Sequence, residues 1–360
     1  LHASAGLPAC LNALRPHWAK LNQAAKHFNE TNRRSHLRRG VGIACMWYGC
    51  GNTSMSNPSR MRVTISQKGI ITFHNGAQDI GQGSSTVLTQ IMADAIGIAP
   101  CNIQMILSDT DLTDDAGKSS ASRQTYVSGR ATQLAGDALR GSILQLANVG
   151  PDAKITVIDA NIMVTEGDHT HTINLQELPL APGEDEGIVM VGRGEFDPST
   201  TILDENGQGI PYATYGFAAQ IASVDVDIEL GCVYVREIVA AHDVGAAVNP
   251  TLVEGQIEGG IAQGLGLALM EEFVPGRTEN LHDYLIPTVG DIPKITSIII
   301  EDAEPTGPYG AKGIGEPALV PTAPAILGAV NAATGVRMRQ LPILPDRVRA
   351  ALAAGDNHDD

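Results

Sequence analysis

The residues most able to do chemistry lie in stretches where glycine leaves the backbone open. In Gly310-Ala311-Lys312-Gly313-Ile314-Gly315-Glu316-Pro317-Ala318-Leu319, three glycines bracket one carboxylate and a proline follows it. Glycine permits positive φ and close ligand approach, and Pro317 biases Glu316 away from helical geometry. A carboxylate held this way suits a general base. The same residues also read as a helix-end charge ahead of a helix over 321–334, favoured by the helix dipole. A second stretch, Gly76-Ala77-Gln78-Asp79-Ile80-Gly81-Gln82-Gly83-Ser84, runs into a helix expected over 84–96, an order of elements that can cradle an anion. It has neither the lysine of a P-loop nor the spacing of a dinucleotide fingerprint, and such loops are often only tight turns. A third, Gly117-Lys118-Ser119-Ser120-Ala121-Ser122-Arg123-Gln124-Thr125, offers hydroxyls and a guanidinium suited to phosphate oxygens, or is a solvated loop with a serine cap. His242-Asp243 has the composition of an acid–base couple, although a histidine at a strand end is more often structural.

The elements that must position these groups follow from periodicity. Leu7, Leu11, Leu14, Trp18, Leu21, Ala25 and Phe28 form one helical face, with Pro16 expected to break or kink it. Arg33, Arg34, Arg38 and Arg39 read as a solvated connector. Short strands follow over 41–47, 59–66 and 69–74, the last two joined by a turn at 67–69. A strand near 103–108 and a helix over 127–149 come next. Residues 150–210 read as short strands and an irregular acidic loop, Glu184-Asp185-Glu186. Strands over 217–228 and 232–242 form a long hairpin, with Asp225 and Asp227 read as solvated. The helix expected over 253–272 contains Gly255, Gly259, Gly260, Gly264 and Gly266. At about 1 kcal/mol each against alanine, so much glycine requires close packing or a close ligand. Gln256 near its start is placed to hydrogen-bond at that end. A tail helix is expected over 345–354.

A chain of 360 residues with 43% hydrophobic residues can bury a sizeable core. The net charge of −16 disfavours nucleic acid and anionic membranes, which need a basic footprint. Five cysteines without a Cys-x-x-Cys pair argue against protein-ligated zinc or an iron–sulfur cluster. Their odd number points to reduced thiols and a cytoplasmic setting. No apolar run reaches membrane-spanning length, and no signal peptide opens the chain. The first residue is leucine, which favours a trimmed chain or a piece of a longer one.

Taken in order, Gly81-Gln82-Gly83, Ser120-Ala121-Ser122-Arg123, Asn249-Pro250, Gly255-Gln256-Ile257-Glu258-Gly259 and Gly313-Ile314-Gly315-Glu316-Pro317 resemble the C-terminal half of the molybdenum-binding subunit in the xanthine dehydrogenase/aldehyde oxidoreductase family. The resemblance runs from about residue 40 to residue 344. Trp47-Tyr48-Gly49 and the surroundings of Glu316 look most like bacterial N-heterocycle hydroxylases such as nicotinate dehydrogenase. The resemblance implies an α+β fold, with mixed sheets and packed helices: a helical lead-in over 1–39, one molybdopterin-binding lobe over 40–150 and a second over 151–360. It implies that Glu316 is the general base in hydroxylation of an electron-poor carbon, with water as the oxygen source. Gln82 and Gln256, with Gly81, Gly83, Gly313 and Gly315, would surround the pterin, whose dithiolene holds the molybdenum so that no protein ligand is needed. Ser122, with Ser120 and Arg123, would meet the phosphate of the cofactor, in its cytosine dinucleotide form. Tyr48 would line the substrate pocket. The family's other molybdenum-binding half, its iron–sulfur cysteines and its flavin domain are absent from the sequence. FAD and 2Fe-2S clusters are therefore expected on partner subunits or domains. Alternatives are an aldehyde oxidoreductase subunit, separable by substrate screening, and a non-catalytic cofactor-binding or assembly module, separable by metal analysis.

Overall fold

The computed structural model describes residues 3–184 and 187–355, so Asp185 and Glu186 of the acidic loop, like Leu1, lie outside the described residues. The first part of the chain forms α1 (Leu7–Thr31), β1 (Leu37–Gly49), β2 (Ser59–Ser66), β3 (Ile71–Asn75), α2 (Ser84–Ile96), β4 (Ile103–Leu107) and α3 (Gly129–Ala147). It continues as β5 (Lys154–Ile158), β6 (Asn161–Glu166), β7 (His169–Asn174) and β8 (Ile188–Phe196). The remainder forms β9 (Tyr215–Asp227), β10 (Val233–Asp243), α4 (Pro250–Leu269), β11 (Lys294–Ile300), α5 (Thr322–Thr334) and α6 (Pro345–Ala354). Parallel and antiparallel pairings share sheets that carry packed helices, the α+β arrangement expected.

Packing divides the chain into two interleaved units, Leu1–Tyr48 with Tyr215–Asp302 and Ile314–Asp360, and Gly49–Thr214 with Ala303–Gly313. The expected divisions at residues 39 and 150 are not where the packing breaks. Residue 150 falls inside the second unit, because β8, downstream of it, is hydrogen-bonded along its length to β2, upstream.

The first unit is built on a sheet in the order β1-β9-β10-β11. β9 and β10 are an antiparallel hairpin, while β11 runs parallel to β10 and is reached by a crossover through α4. Ala219, Ile221, Val239 and Ala241 bury against Cys10, Leu14 and Ala25 of α1. Ala222, Val224, Val226, Ile238 and Ala240 bury against Ile257 and Ile261 of α4 and Ile326 and Ala329 of α5. With both faces covered, β9 has no solvated side, and two expectations change. Asp225 and Asp227 are buried rather than solvated. Arg39 is no connector residue: it lies in β1, pairs through Nε and Nη2 with both Asp225 oxygens at 2.6 and 2.9 Å, and stacks over the Phe28 ring at 3.9 Å. Asp227 Oδ1 accepts from the amides of Glu229 and Leu230 at 3.0 and 2.9 Å and closes the hairpin turn. Pro16 does not end α1. Both Pro16 and Asn12 are exposed, so the carbonyl left without its helical donor faces water.

The second unit holds a sheet in the order β4-β3-β2-β8, on which α2 and α3 pack, and a separate three-stranded sheet β5-β6-β7. α2 spans the expected residues, and Gly97 with φ +86° terminates it. α3 starts two residues later than expected because Gln124–Ser128 forms a wide π turn ahead of it.

Candidate cofactor-binding and active-site residues

In the second unit β3 leads through the glycine loop into α2. The N-terminus of that helix is not an open anion cradle, as the sequence suggested, because Asp79 fills it. Its Oδ1 accepts from the amides of Gly81 and Gly83 at 2.9 and 3.3 Å, and its Oδ2 from the amide of Ser85 at 2.9 Å. Burial raises the carboxyl's pKa, but these donors outweigh it and leave the group below its ordinary value. Gln82 folds back on the same loop, accepting from the Ile80 amide at 2.7 Å and donating to the Gln78 carbonyl at 3.2 Å and Ser84 Oγ at 3.1 Å. Gly81 keeps open space where a side chain would project.

The serine loop is tied to the glycine loop by Ser119 Oγ, which donates to the Gln78 carbonyl at 2.6 Å and accepts from Gln124 Nε2 at 3.0 Å. Ala121 and Ser122 both take left-handed backbone conformations, φ 58° and 47°, the strained geometry that collects at binding sites. The Gly51 amide donates to the Ala121 carbonyl at 2.8 Å. A Cβ at Gly313 would sit 1.7 Å from the Ser122 carbonyl oxygen, so only glycine fits against that turn. Ser120 is exposed and Ser122 half-buried. Arg123 departs from its expected part in a phosphate site. It is 1% exposed, and its guanidinium donates to the carbonyls of Ala116, Lys118, Asn57 and Pro58 at 2.5, 3.3, 3.1 and 2.8 Å. It shapes the loop from behind. Gln124 Oε1, on the serine loop, is buried without a partner; a buried acceptor of this kind is where a polar ligand would be expected to bond.

Near the end of the same unit, Lys312 and Glu304 are both buried. Glu304 accepts from Thr214 Oγ1 at 2.6 Å and from the amide and hydroxyl of Thr306 at 3.1 and 2.8 Å. Burial pushes the Glu304 pKa up, and these bonds with the charge of Lys312 bring it below normal. Lys312 thus belongs to a buried structural network.

The first unit carries Glu316, Gly315, Gln256 and Tyr48. Glu316 is half-buried in a turn in which the Leu319 amide donates to its carbonyl at 3.0 Å, with Pro317 and Ala318 buried behind it. α5 begins only at Thr322 with no acidic residue in its first turn, so Glu316 is not a charge on the end of that helix. α4 begins at Pro250, capped by Asn249 Oδ1 accepting from the Leu252 amide at 3.1 Å. That start is earlier than expected and places the half-buried Gln256 nearly two turns into the helix. The glycines of α4 separate by face. A Cβ at Gly260 would lie 2.5 Å from Ala318 Cβ, and one at Gly264 would lie 2.4 Å from Thr322 Cβ, whereas Gly255 and Gly259 face open space. Close packing therefore accounts for Gly260 and Gly264. Tyr48 is the penultimate residue of β1, half-buried, beside Trp47, which is 70% exposed.

The expected residues thus group by unit: Gly81, Gln82, Gly83, Ser120, Ser122, Arg123 and Gly313 in one, Tyr48, Gln256, Gly315 and Glu316 in the other. Sequence reasoning passed over Asp79, although an aspartate two residues before a glycine and six before a serine at a helix start is an Asx-turn signal. It also passed over Gln78, Ser119 and Gln124, which tie the loops together. Among the described residues no group of three or more His, Cys, Asp and Glu could hold a metal ion.

The class to which this mixed α+β scaffold belongs is shown by its likeness to known molybdopterin-binding proteins. The family model for the molybdopterin cofactor-binding domain matches residues 13–293. The chain is 34% identical to the putative xanthine dehydrogenase molybdenum-binding subunit of Escherichia coli (strain K12), covering 96% of this chain and 46% of the relative. It is 30% identical to the 6-hydroxypseudooxynicotine dehydrogenase complex subunit gamma of Paenarthrobacter nicotinovorans, over 92% of this chain and 44% of that one. Among solved structures, the aldehyde oxidoreductase of Desulfovibrio desulfuricans superposes with a TM-score of 0.80 at 28% identity, over 97% of this chain and 36% of that one. The chain belongs to the xanthine dehydrogenase/aldehyde oxidoreductase family of molybdopterin-binding proteins, and spans less than half the length of these relatives.

Proposed function

We propose that the chain is one half of the molybdenum-binding part of a hydroxylase, with Glu316 as the general base. The observation that carries this reading is the setting of Glu316: a half-buried carboxylate in a turn between Gly315 and buried Pro317, outside any helix. The bound molybdopterin–molybdenum cofactor would supply oxygen transfer and two-electron redox chemistry. Glu316 would accept a proton at its carboxylate during attack on an electron-poor carbon and release it afterwards. Both amide hydrogens of Gln82 are engaged within its loop, so toward the pterin it would accept through the remaining lone pair of Oε1. Gln256, on the helix face beside open Gly255 and Gly259, would be a further hydrogen-bonding partner for the pterin. Ser120 and Ser122 would meet the phosphate of a cytosine dinucleotide form, with Arg123 fixing their loop.

The substrate class we favour is an N-heteroaromatic such as nicotinate or a purine, with Tyr48 as a ring contact. Its support is the similarity to a xanthine dehydrogenase subunit and to a subunit of a 6-hydroxypseudooxynicotine dehydrogenase complex. An aldehyde substrate is the second reading, favoured by the likeness to aldehyde oxidoreductase. Screening the assembled enzyme against both classes decides between them. Electrons would leave through 2Fe-2S and FAD groups on partner subunits or domains, in a cytoplasmic complex. No helix among the described residues is long and apolar enough to cross a membrane. Replacing Glu316 by Gln in the assembled enzyme should abolish turnover with molybdenum content intact; unchanged turnover would refute the role.

A further inference from the structure

Beneath the turn that carries Glu316 lies a buried polar group that the proposed chemistry does not use. Gln220, on β9, is fully buried among Ala222, Val224 and Ala240. Its Nε2 donates to the Ala318 carbonyl at 2.9 Å and lies 3.2 Å from His242 Nε2 on β10, while its Oε1 accepts from Thr322 Oγ1 at 2.8 Å. The Ala318 carbonyl can only accept, so the amide orientation is determined: a flipped amide would set oxygen against oxygen. His242 Nε2 then receives the second amide hydrogen, and the imidazole proton sits on Nδ1, which has no hydrogen-bond partner. All of these residues belong to the first unit.

The placement is specific to the turn. Ala318 is two residues beyond Glu316, and the turn closes through the Leu319 amide on the Glu316 carbonyl at 3.0 Å. Thr322, the other anchor, is the first residue of α5, and its amide donates to the Leu319 carbonyl at 3.2 Å. From the side of α4, Gly260 presses on Ala318 and Gly264 on Thr322. Packing thus limits how far the turn can sink, whereas the amide of Gln220 limits how far it can lift. A fully buried glutamine requires a reason, because leaving such an amide unpaired is costly and an apolar residue would pack as well.

We infer that Gln220 is a positioning residue: by holding the Ala318 carbonyl and Thr322 it fixes the height and orientation of the Glu316 turn. The inference rests on the general-base reading only for its consequence in turnover, since the tethering itself concerns the polypeptide alone. The test uses the native complex purified through this chain, with Gln220→Met, which keeps size and removes the donors. In hydrogen-exchange mass spectrometry, a peptide covering 314–322 should exchange at least tenfold faster, while peptides from β2 and β3 are unchanged. Turnover of xanthine, or of benzaldehyde where that is the better substrate, should show kcat lowered tenfold or more, with KM and molybdenum content within twofold. Unchanged exchange over 314–322 overturns the inference, as does a fall in molybdenum content that alone accounts for the lost rate. Where Gln220→Met does not assemble, Thr322→Val removes one anchor, and the same exchange and kinetic outcomes are read from it. Faster exchange combined with full activity in Glu316→Gln would leave the tether standing and remove the base.

Discussion

Arg39 and Asp225 are 186 residues apart in sequence and meet as a two-point ion pair beside the Phe28 ring. The pair is mostly withdrawn from water, with side-chain exposures of 22% and 12%, and that is the condition under which losing one partner matters. Replacing Arg39 by Met keeps part of the stem's packing but leaves the carboxylate only the longer contact with Arg236 at 3.7 Å, and should lower stability by about 2 kcal/mol, partial exposure and that second cation softening the full buried-pair penalty. Chemical denaturation measures it, and a change below about 0.5 kcal/mol would place the pair among ordinary surface salt bridges. His242 gives a pH signature of the opposite kind. Burial pushes its pKa down to about 3, against about 6.5 in an unfolded chain. Between those values the unfolded chain binds a proton that the folded chain refuses. Stability from this group is therefore intact above pH 6.5 and is lost as pH falls toward 3, by up to about 1.4 kcal/mol per pH unit. His242→Gln should flatten that part of the pH dependence in urea unfolding between pH 6.5 and 5. Equal slopes for the two proteins would mean that His242 becomes protonated in the fold.

At the scale of the element, α4 shows how one helix reconciles two demands. Its buried glycines admit the Glu316 turn and α5, while Gly255 and Gly259 stand in open space beside Gln256. Gly260→Ala should therefore destabilise by about 1–3 kcal/mol through overpacking, whereas Gly255→Ala should stabilise the polypeptide by about 0.5–1 kcal/mol through helix propensity. Thermal unfolding of both variants separates the two faces; equal shifts of the same sign would contradict the division. Helices such as α2 and α6 were legible in the sequence because their signals are local: an apolar face, a proline at the first turn of α6, a glycine after α2. The carboxylate turn and the glycine- and serine-rich loops were legible for the same reason, since glycine and proline act on their neighbours. What was not legible depends on distant partners. The burial of Asp225 follows from Arg39 and from coverage of both faces of β9. The engagement of Arg123 with Asn57 and Pro58 follows from a segment 65 residues upstream. Gln220 looks like an ordinary polar residue in an alternating strand until Ala318 and Thr322 arrive.

For the whole molecule, chain order and packing order differ, and this determines how the protein can be divided. The first unit takes its strands from β1 and from β9 to β11, while the second takes everything between, along with residues 303–313. A division at residue 150 would part β2 from β8, and would part β1 and α1 from the sheet formed with β9 and β10. Each fragment would keep local helices but lose the partners of its central strands, and isolated helices and two-stranded ribbons are marginal in water. Fragments 1–150 and 151–360, produced separately, should therefore lack cooperative unfolding, and co-expression should restore it. A nick inside the exposed loop at 203–209 behaves differently. It interrupts no strand of the three sheets, since β8 ends at Phe196 and β9 begins at Tyr215. Limited proteolysis there should leave two pieces that remain associated on gel filtration and unfold cooperatively. Dissociation of the nicked pieces, or independent folding of 1–150, would show that these long-range strand pairings are not what holds the pieces together.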